Sequence, residues 1–136
     1  HLHSAFYLSK LIYPEMLKNI NSLMIFISSA SSFRYPSDSV AYSTANSSLI
    51  HFAKCIAKEF YSEGIRVNCI APGFVDTQFH KGPKESSMRK AVEQRIPLGR
   101  YAKAVEIADV ILMMVGNDYI TGEVLVVDGG LNLMFK

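Results

Sequence analysis

Three short apolar blocks stand out along the chain, each bounded by polar or turn-forming residues. They are LMIFI at 23–27, IRVNCIA at 65–71 and EVLVV at 123–127. Blocks of this length, rich in branched side chains, are typical of strands that are buried on both faces of a parallel sheet. We therefore predict three buried strands.

Between and before these blocks, apolar residues recur every three or four positions, which predicts helices over residues 4–18, 40–61 and 104–115. The residues that share one face of each helix are Ala5, Leu8, Leu11, Ile12 and Met16 on the first; Tyr42, Ala45, Asn46, Leu49, Ile50, Ala53, Ile56, Ala57 and Phe60 on the second; and Ile107, Val110, Ile111, Met114 and Val115, facing inward, on the third. Asp38 or Ser39 is expected to cap the second helix and Gly64 to end it. Residues 78–95 are polar and only weakly helical.

Along the whole chain the predicted elements follow the order helix, strand, helix, strand, helix, strand. Such alternation predicts an α/β fold with right-handed crossovers and a parallel sheet covered by helices. No internal repeat or linker interrupts the pattern, so residues 1–136 are expected to form a single unit.

Two loops follow predicted strands, at the sheet edge where open α/β folds bind ligands. Ser29 comes just after the first strand, where its hydroxyl could polarise a substrate carbonyl. The sequence PGFVDT at 72–77 follows the second strand and offers backbone groups and a threonine hydroxyl to a polar ligand. Loops of this composition also serve merely to turn the chain, and both interpretations stay open at this point.

The segment AYSTAN, residues 41–46, places Tyr42 and Asn46 one helical turn apart. A free tyrosine ionises near pH 10, so an enzyme that uses one as an acid or base needs a cation beside it. The residue four positions later on a helix is the natural place for that cation. Asn46 stands there instead and carries no charge, and a tyrosine on such a face can equally be an ordinary core residue.

Taken together, four stretches resemble the C-terminal half of a short-chain dehydrogenase/reductase, and most of all the 3-oxoacyl-carrier-protein reductase group. The stretches are ISS ending at Ser29 (thirteen residues before Tyr42), AYSTAN, EGIRVNCIAPGFVDT and YITGEVLVVDGG. The resemblance covers nearly the whole chain in order. It implies the C-terminal half of a Rossmann-like, doubly wound parallel sheet that binds NAD or NADP.

The resemblance also implies roles for individual residues. Ser29 matches the serine that orients a substrate carbonyl, and Tyr42 the tyrosine that moves a proton to or from its oxygen. Tyr42 and Asn46 stand where the family contacts the cofactor ribose, and Pro72, Gly73, Val75 and Thr77 match the turn that holds the nicotinamide end. Residues 78–95 match a variable substrate lid, and the helices at 4–18 and 40–61 match those that pair in homodimers or homotetramers.

Three departures from the family pattern bear on activity. Asn46 replaces the lysine that assists the tyrosine, and His1 stands where a catalytic asparagine is usual. The glycine-rich phosphate loop is also missing, because the earliest glycine is Gly64. The chain is then either a piece of a longer protein or a protein that lacks half of its nucleotide site.

Two functions follow, with a third kept as a minor alternative. The first is an NAD(P)-dependent oxidoreductase that acts on a carbonyl or alcohol. The second is a non-catalytic relative, either a degenerate fragment or a scaffold. The third is an unrelated ligand-binding α/β module. A glycine-rich strand–turn–helix encoded upstream would favour the enzyme.

Composition narrows the partners and the compartment. The formal charge is +2 and the basic residues are scattered, which argues against nucleic acid and anionic membranes. No apolar run approaches the roughly 20 residues of a membrane span, and no secretory signal is recognised. Cys55 and Cys69 show no metal or redox spacing, which fits a reducing, cytoplasmic setting. Asn46-Ser47-Ser48 matches a glycosylation acceptor by chance.

Overall fold

The computed structural model describes residues 2–34, 37–80 and 86–134. Within these residues, four α-helices and three strands follow one another along the chain: α1 (Leu2–Met16), β1 (Leu23–Ile27), α2 (Val40–Phe60), β2 (Arg66–Pro72), α3 (Ser87–Glu93), α4 (Ala104–Gly116) and β3 (Val124–Val127). Short 3-10 helices lie at Ala30–Phe33, Tyr61–Glu63, Gln78–His80 and Leu131–Leu133. The predicted strands are confirmed to within about one residue at each end.

The three strands form a parallel sheet with β2 in the centre. Leu23 pairs with Arg66 at the start of β1, and Cys69 pairs with Val124 at the start of β3. Residues 66–71 are all buried, as expected for a central strand that is covered on both faces. The α/β prediction with a parallel sheet is therefore confirmed.

Helices cover both faces of the sheet. Val67 and Cys69 on β2 pack with Ala53 and Ala57 of α2. Because side chains alternate along a strand, Arg66 points to the opposite face, where its guanidinium contacts carbonyl oxygens at the end of α4. The packing is thus that of a doubly wound sheet.

The helix ends are determined by local hydrogen bonds. α1 ends two residues earlier than predicted, since Asn19 Nδ2 donates to Glu15 O at 2.8 Å and Ser22 Oγ donates to Met16 O at 2.9 Å. These side chains satisfy carbonyls that another helical turn would have bonded. Gly64 ends the α2 segment in the left-handed conformation, with φ of 74°, as predicted.

Several predicted faces need correction. Leu8, Leu11 and Ile12 on α1 are exposed, and the buried residue of this helix is Ser9, whose hydroxyl donates to Ala5 O at 2.8 Å. On α4, Met114 is buried but Val115 is half exposed, because successive helical residues lie about 100° apart and only a narrow row faces the sheet.

The cap of α2 also differs from the prediction. Ser39 occupies the N-cap position, but its hydroxyl makes no capping bond and instead lies 3.0 Å from Ser43 Oγ. Asp38 adopts a positive φ of 59° before it. In the described part of the chain, no helix is long and apolar enough to cross a membrane.

Candidate active site

The carboxyl ends of β1 and β2 meet at one edge of the sheet and bring two loops together. Ile27 pairs with Ile70, and the next residue along, Ser28, donates its N–H to Ile70 O at 2.8 Å. The chain after β1 thus lies beside the turn that begins at Pro72. This places the Ser-rich loop and the PGFVDT turn side by side, as the strand order predicts.

Ser29 starts the 3-10 helix at Ala30–Phe33 as its N-cap. Its Oγ accepts two hydrogen bonds from Ser31, from the backbone N–H at 3.2 Å and from the hydroxyl at 3.0 Å. A serine oxygen has two acceptor positions and one donor hydrogen. The hydroxyl hydrogen of Ser29 is therefore what it can offer to a carbonyl oxygen.

Tyr42 lies in the first turn of α2 and is 41% exposed. Its position relative to β1 is held by Ser28, whose Oγ donates to Asn46 O at 2.9 Å and contacts Ser32 Oγ at 3.0 Å. Ser29 and Tyr42 consequently border the same space above the sheet edge.

Two adjoining cavities share Ser29, Tyr42, Pro72, Gly73 and Phe79 as common walls. The first, which we call the Thr77 cavity, has a volume of about 340 Å³, and its other walls include Ile27, Val75, Thr77, Ala104 and Ile107. The second, which we call the Arg95 cavity, has a volume of about 350 Å³, and its other walls include Ala30, Arg34, Phe74, Arg95 and Leu131. The Ser29–Tyr42 pair thus stands where the two cavities meet.

The turn after β2 is held tightly in place. A Cβ on Gly73 would lie 2.8 Å from Asp128 Cα, so no larger residue fits there without moving the backbone. Gly73 N donates to Val127 O at 2.9 Å, and Val75 forms an isolated parallel bridge with Ala102. Thr77 is therefore presented from a fixed backbone.

Asn46 does not line either cavity as far as the described residues go. It is only 2% exposed, and its Nδ2 donates to Tyr42 O at 2.9 Å. The side chain is bonded back along its own helix, and contact with a ribose would require this bond to break. Its burial also fits the interpretation of Asn46-Ser47-Ser48 as a chance match to a glycosylation acceptor.

Of the predicted lid at 78–95, the structure describes Gln78–His80 and the segment from Ser86 onward, which includes α3. Arg89 on α3 bonds Asp76 Oδ1 and Glu93 Oε1, each at 3.0 Å, and lies 4.2 Å from the Tyr101 ring centroid. The bonds to Asp76 and Glu93 raise the pKa of Arg89. Residues 81–85 and His1, the position of the usual asparagine, lie outside the described residues.

Sequence reasoning named none of four walls of the Arg95 cavity as site residues, although Phe74 lies within PGFVDT and Arg95 ends the predicted lid at 78–95; the other two are Arg34 and Leu131. These residues come from four separate segments, and no motif links them. Only the presence of arginines in two loops near the predicted site could have drawn attention to them.

The cysteines take no part in the site. Cys55 is exposed and Cys69 is buried in the sheet, where burial raises the pKa of its thiol to about 11. Across residues 2–34, 37–80 and 86–134, no group of His, Cys, Asp and Glu side chains is arranged to hold a metal ion.

The chain matches a described protein family and many curated relatives. Residues 1–132 match the family model described as "Enoyl-(Acyl carrier protein) reductase". The human 3-oxoacyl-[acyl-carrier-protein] reductase is 44% identical over 93 residues, which cover 68% of this chain and 38% of the relative. The reductase FabG of Chlamydia muridarum is 37% identical over 133 residues, 96% of this chain and 53% of the relative. The chain thus spans about half, or less, of the length of these relatives.

Solved structures show the same architecture. The RhlG/NADP active-site complex of Pseudomonas aeruginosa superposes with a TM-score of 0.90 at 26% identity, over 96% of this chain and 54% of that one. The 4-hydroxyisoleucine dehydrogenase complexed with NADH superposes with a TM-score of 0.91 at 25% identity, over 98% of this chain and 57% of that one. The TT0495 protein of Thermus thermophilus superposes with a TM-score of 0.87 at 33% identity, over 98% of this chain and 58% of that one.

Proposed function

The chain belongs to the short-chain dehydrogenase/reductase family, and on that premise we propose that it acts as an NAD(P)-dependent oxidoreductase on a carbonyl or alcohol substrate. One observation carries the proposal: Ser29 and Tyr42 together border both the Thr77 cavity and the Arg95 cavity. Hydride passes directly from cofactor to substrate, so the side chains that polarise the substrate and move its proton must border both ligands without separating them.

The Thr77 cavity suits the nicotinamide end of the cofactor. Ile27, Val75 and Ile107 give it apolar walls, and the Thr77 hydroxyl adds a polar group at its rim. Pro72, Gly73, Val75 and Thr77 would hold the ring, with Tyr42 beside the ribose. When bound, the cofactor supplies hydride to a carbonyl carbon or accepts it from an alcohol carbon.

The substrate would lie in the Arg95 cavity with its oxygen toward Ser29 and Tyr42. The Ser29 hydroxyl donates a hydrogen bond to the carbonyl oxygen and polarises it, while its own oxygen is held by Ser31. In reduction, the Tyr42 hydroxyl gives its proton to that oxygen, which becomes the alcohol. In oxidation the same phenol oxygen takes the proton back.

Asn46 remains in the proposed site as a modifier of Tyr42. Its amide bonds the Tyr42 carbonyl and brings no positive charge to the phenol, so we expect slow turnover at neutral pH. We further propose that the active form is a homodimer or homotetramer assembled through α1 and α2.

The test measures NADH and NADPH oxidation with a panel of ketones. It uses the 136-residue chain and a chimera in which the chain replaces the matching part of the Chlamydia muridarum reductase. We expect the chimera to reduce ketones and both Ser29→Ala and Tyr42→Phe to lose most of the rate. Tyr61→Phe and Ser62→Ala, in the 3-10 helix that follows α2, serve as matched controls.

Two results would contradict the proposal. A folded chimera that binds dinucleotide but turns over no ketone would favour the non-catalytic scaffold. Turnover that survives Tyr42→Phe would remove the assigned proton donor.

A further inference from the structure

The arginines of the described chain fall into two groups. Arg66, Arg89 and Arg100 have guanidinium groups bonded to protein oxygens, in carbonyls or carboxylates. Arg34 and Arg95 have no such acceptor among the described residues, and both line the Arg95 cavity. The two arginines that lack an acceptor among the described residues therefore line one cavity.

The cavity around them has hydroxyl-bearing walls, from Ser29, Ser31, Ser39 and Tyr42, and apolar ones. Phe74, Phe79 and Leu131 form much of its wall, and none of its described lining residues is an aspartate or glutamate. Arg34 is half-buried, so its charge is partly removed from bulk water, whereas Arg95 is exposed. A positive charge near apolar walls and without a counter-ion attracts an anion more strongly than one in open solvent.

The positive charge lies on the substrate side of the site. Arg34 and Arg95 border the Arg95 cavity but are not among the described walls of the Thr77 cavity. An anion held by them would share its cavity with the reacting carbonyl and lie apart from the space assigned to the nicotinamide.

We propose that Arg34 and Arg95 bind the carboxylate of a small keto acid or hydroxy acid, which makes them specificity-determining residues. This rests on the proposed function. A planar guanidinium matches a carboxylate with two parallel hydrogen bonds. A volume of about 350 Å³ is near the lower end for ligand pockets and suits a compact ligand. Phe74 and Leu131 would cover the short carbon chain between carboxylate and ketone.

The experiment compares 4-oxopentanoate with its methyl ester, two ketones that differ in charge. Binding of each to the 136-residue chain is measured by NMR titration, and kcat/KM of each is measured with the chimera. The variants are Arg34→Gln and Arg95→Gln. Arg34→Lys and Arg95→Lys keep the positive charge but lack the two parallel hydrogen bonds of a guanidinium group. Lys54→Gln is the control, because it removes the same charge from an exposed position on α2.

We expect the acid to be preferred by roughly ten- to a hundredfold, the range for a charge-assisted bond pair. Each Gln variant should lower the preference for the acid over the ester by roughly tenfold, and each Lys variant should fall between. Equal use of acid and ester, or an equal loss in Lys54→Gln, would overturn the inference.

Binding and kcat/KM together distinguish a failure of this inference from a failure of the proposed function. Reduction of the ester without preference for the acid defeats the carboxylate site and leaves the oxidoreductase proposal standing. Arginine-dependent binding of the acid without reduction of either ketone supports the anion site and defeats the oxidoreductase.

Discussion

Ser28 Oγ donates a hydrogen bond of 2.9 Å to the carbonyl oxygen of Asn46 and thereby joins the end of β1 to α2 one turn beyond Tyr42. Asn46 in turn donates its side-chain amide to the Tyr42 carbonyl at 2.9 Å. Two consecutive bonds therefore link the residue before Ser29 to the backbone of Tyr42. The relative position of the proposed catalytic pair depends on this link.

Ser28→Ala should loosen the pair. We expect the free energy of unfolding to fall by about 1–2 kcal/mol, the cost of leaving a buried carbonyl without its extra donor, and the ketone reduction rate of the chimera to fall with it. Urea unfolding and steady-state kinetics measure the two effects. Ser48→Ala is the control, since its hydroxyl donates to Ala45 O in the same helix and, among the described residues, does not join α2 to another element. Equal stability losses in the two variants would contradict this role of Ser28.

Arg66 holds the end of α4 against β2. Its Nη1 donates to Met114 O at 3.0 Å, Asn117 O at 3.2 Å and Ile120 O at 3.3 Å. Arg66→Met fits the same space but leaves these carbonyls without the donor, so we expect a loss of about 3 kcal/mol in the free energy of unfolding. Arg100→Met, which breaks an exposed ion pair, should cost much less. A wild-type unfolding midpoint for Arg66→Met would refute this account.

The N-terminus of α4 should respond to acid. Hydrogen bonds from Arg100 and the Lys103 N–H lower the pKa of Glu106 from 4.5 to about 2. Because the folded pKa is lowered, this stabilisation is complete above about pH 4.5 and is lost as the pH falls toward about 2. Urea midpoints between about pH 6 and pH 2 should therefore decline more steeply in the wild type than in Glu106→Gln. Parallel curves for the two proteins would exclude the effect.

The strands were predictable because their signal is local. Residues 23–27 and 123–127 are short apolar runs between turn residues, and a run of this length is typical of a strand and too short for a helix. Gly64 was equally predictable, because a left-handed helix end favours glycine whatever lies around it.

The exposed side of α1 was not predictable from spacing alone. Leu11 belongs to the apolar row of this helix and yet is 74% exposed, whereas the polar Ser9 is buried. Periodicity shows that a helix has an apolar face but not which neighbour covers it. The environment of Asn46 was hidden for a related reason, since the spacing shows that it follows Tyr42 by one turn but not that its amide bonds the Tyr42 carbonyl.

Self-association should occur through α1. Phe6, Tyr7 and Leu11 are exposed on this helix, while the Tyr13 ring is stacked on that of Phe60 with the ring centroids 4.6 Å apart. We expect a concentration-dependent dimer or tetramer in sedimentation equilibrium, because contiguous apolar surface favours association.

Leu11→Lys should shift this equilibrium toward monomer. Leu112→Lys is the matched control, as Leu112 is 65% exposed on α4, which covers the other face of the sheet. A monomer at the highest accessible concentration, or an equal effect of both substitutions, would count against assembly through α1.

Asn46→Lys should accelerate the proposed reaction. An ammonium group near the Tyr42 hydroxyl stabilises the phenolate that forms when the proton leaves, whereas the Asn46 amide contributes no charge. Lys54, two further turns along α2, is on the order of 12 Å away by helix rise and cannot take its place. Since position 46 is buried, the lysine must extend its flexible chain toward the cavities, and the bond from Asn46 to the Tyr42 carbonyl is lost. We expect the rate of ketone reduction by the chimera at about pH 7 to rise by roughly ten- to a hundredfold, because the cation tunes an existing proton transfer and does not add a new acid or base.

Asn46→Gln, which keeps the amide and adds no charge, should stay slow, and Tyr42→Phe combined with Asn46→Lys should abolish the gain. The rates are measured from about pH 6 to pH 10, where an ammonium effect is greatest at the neutral end. Fast turnover of the unmodified chain at neutral pH, with no gain from lysine, would show that this family member moves its proton without a cation at position 46.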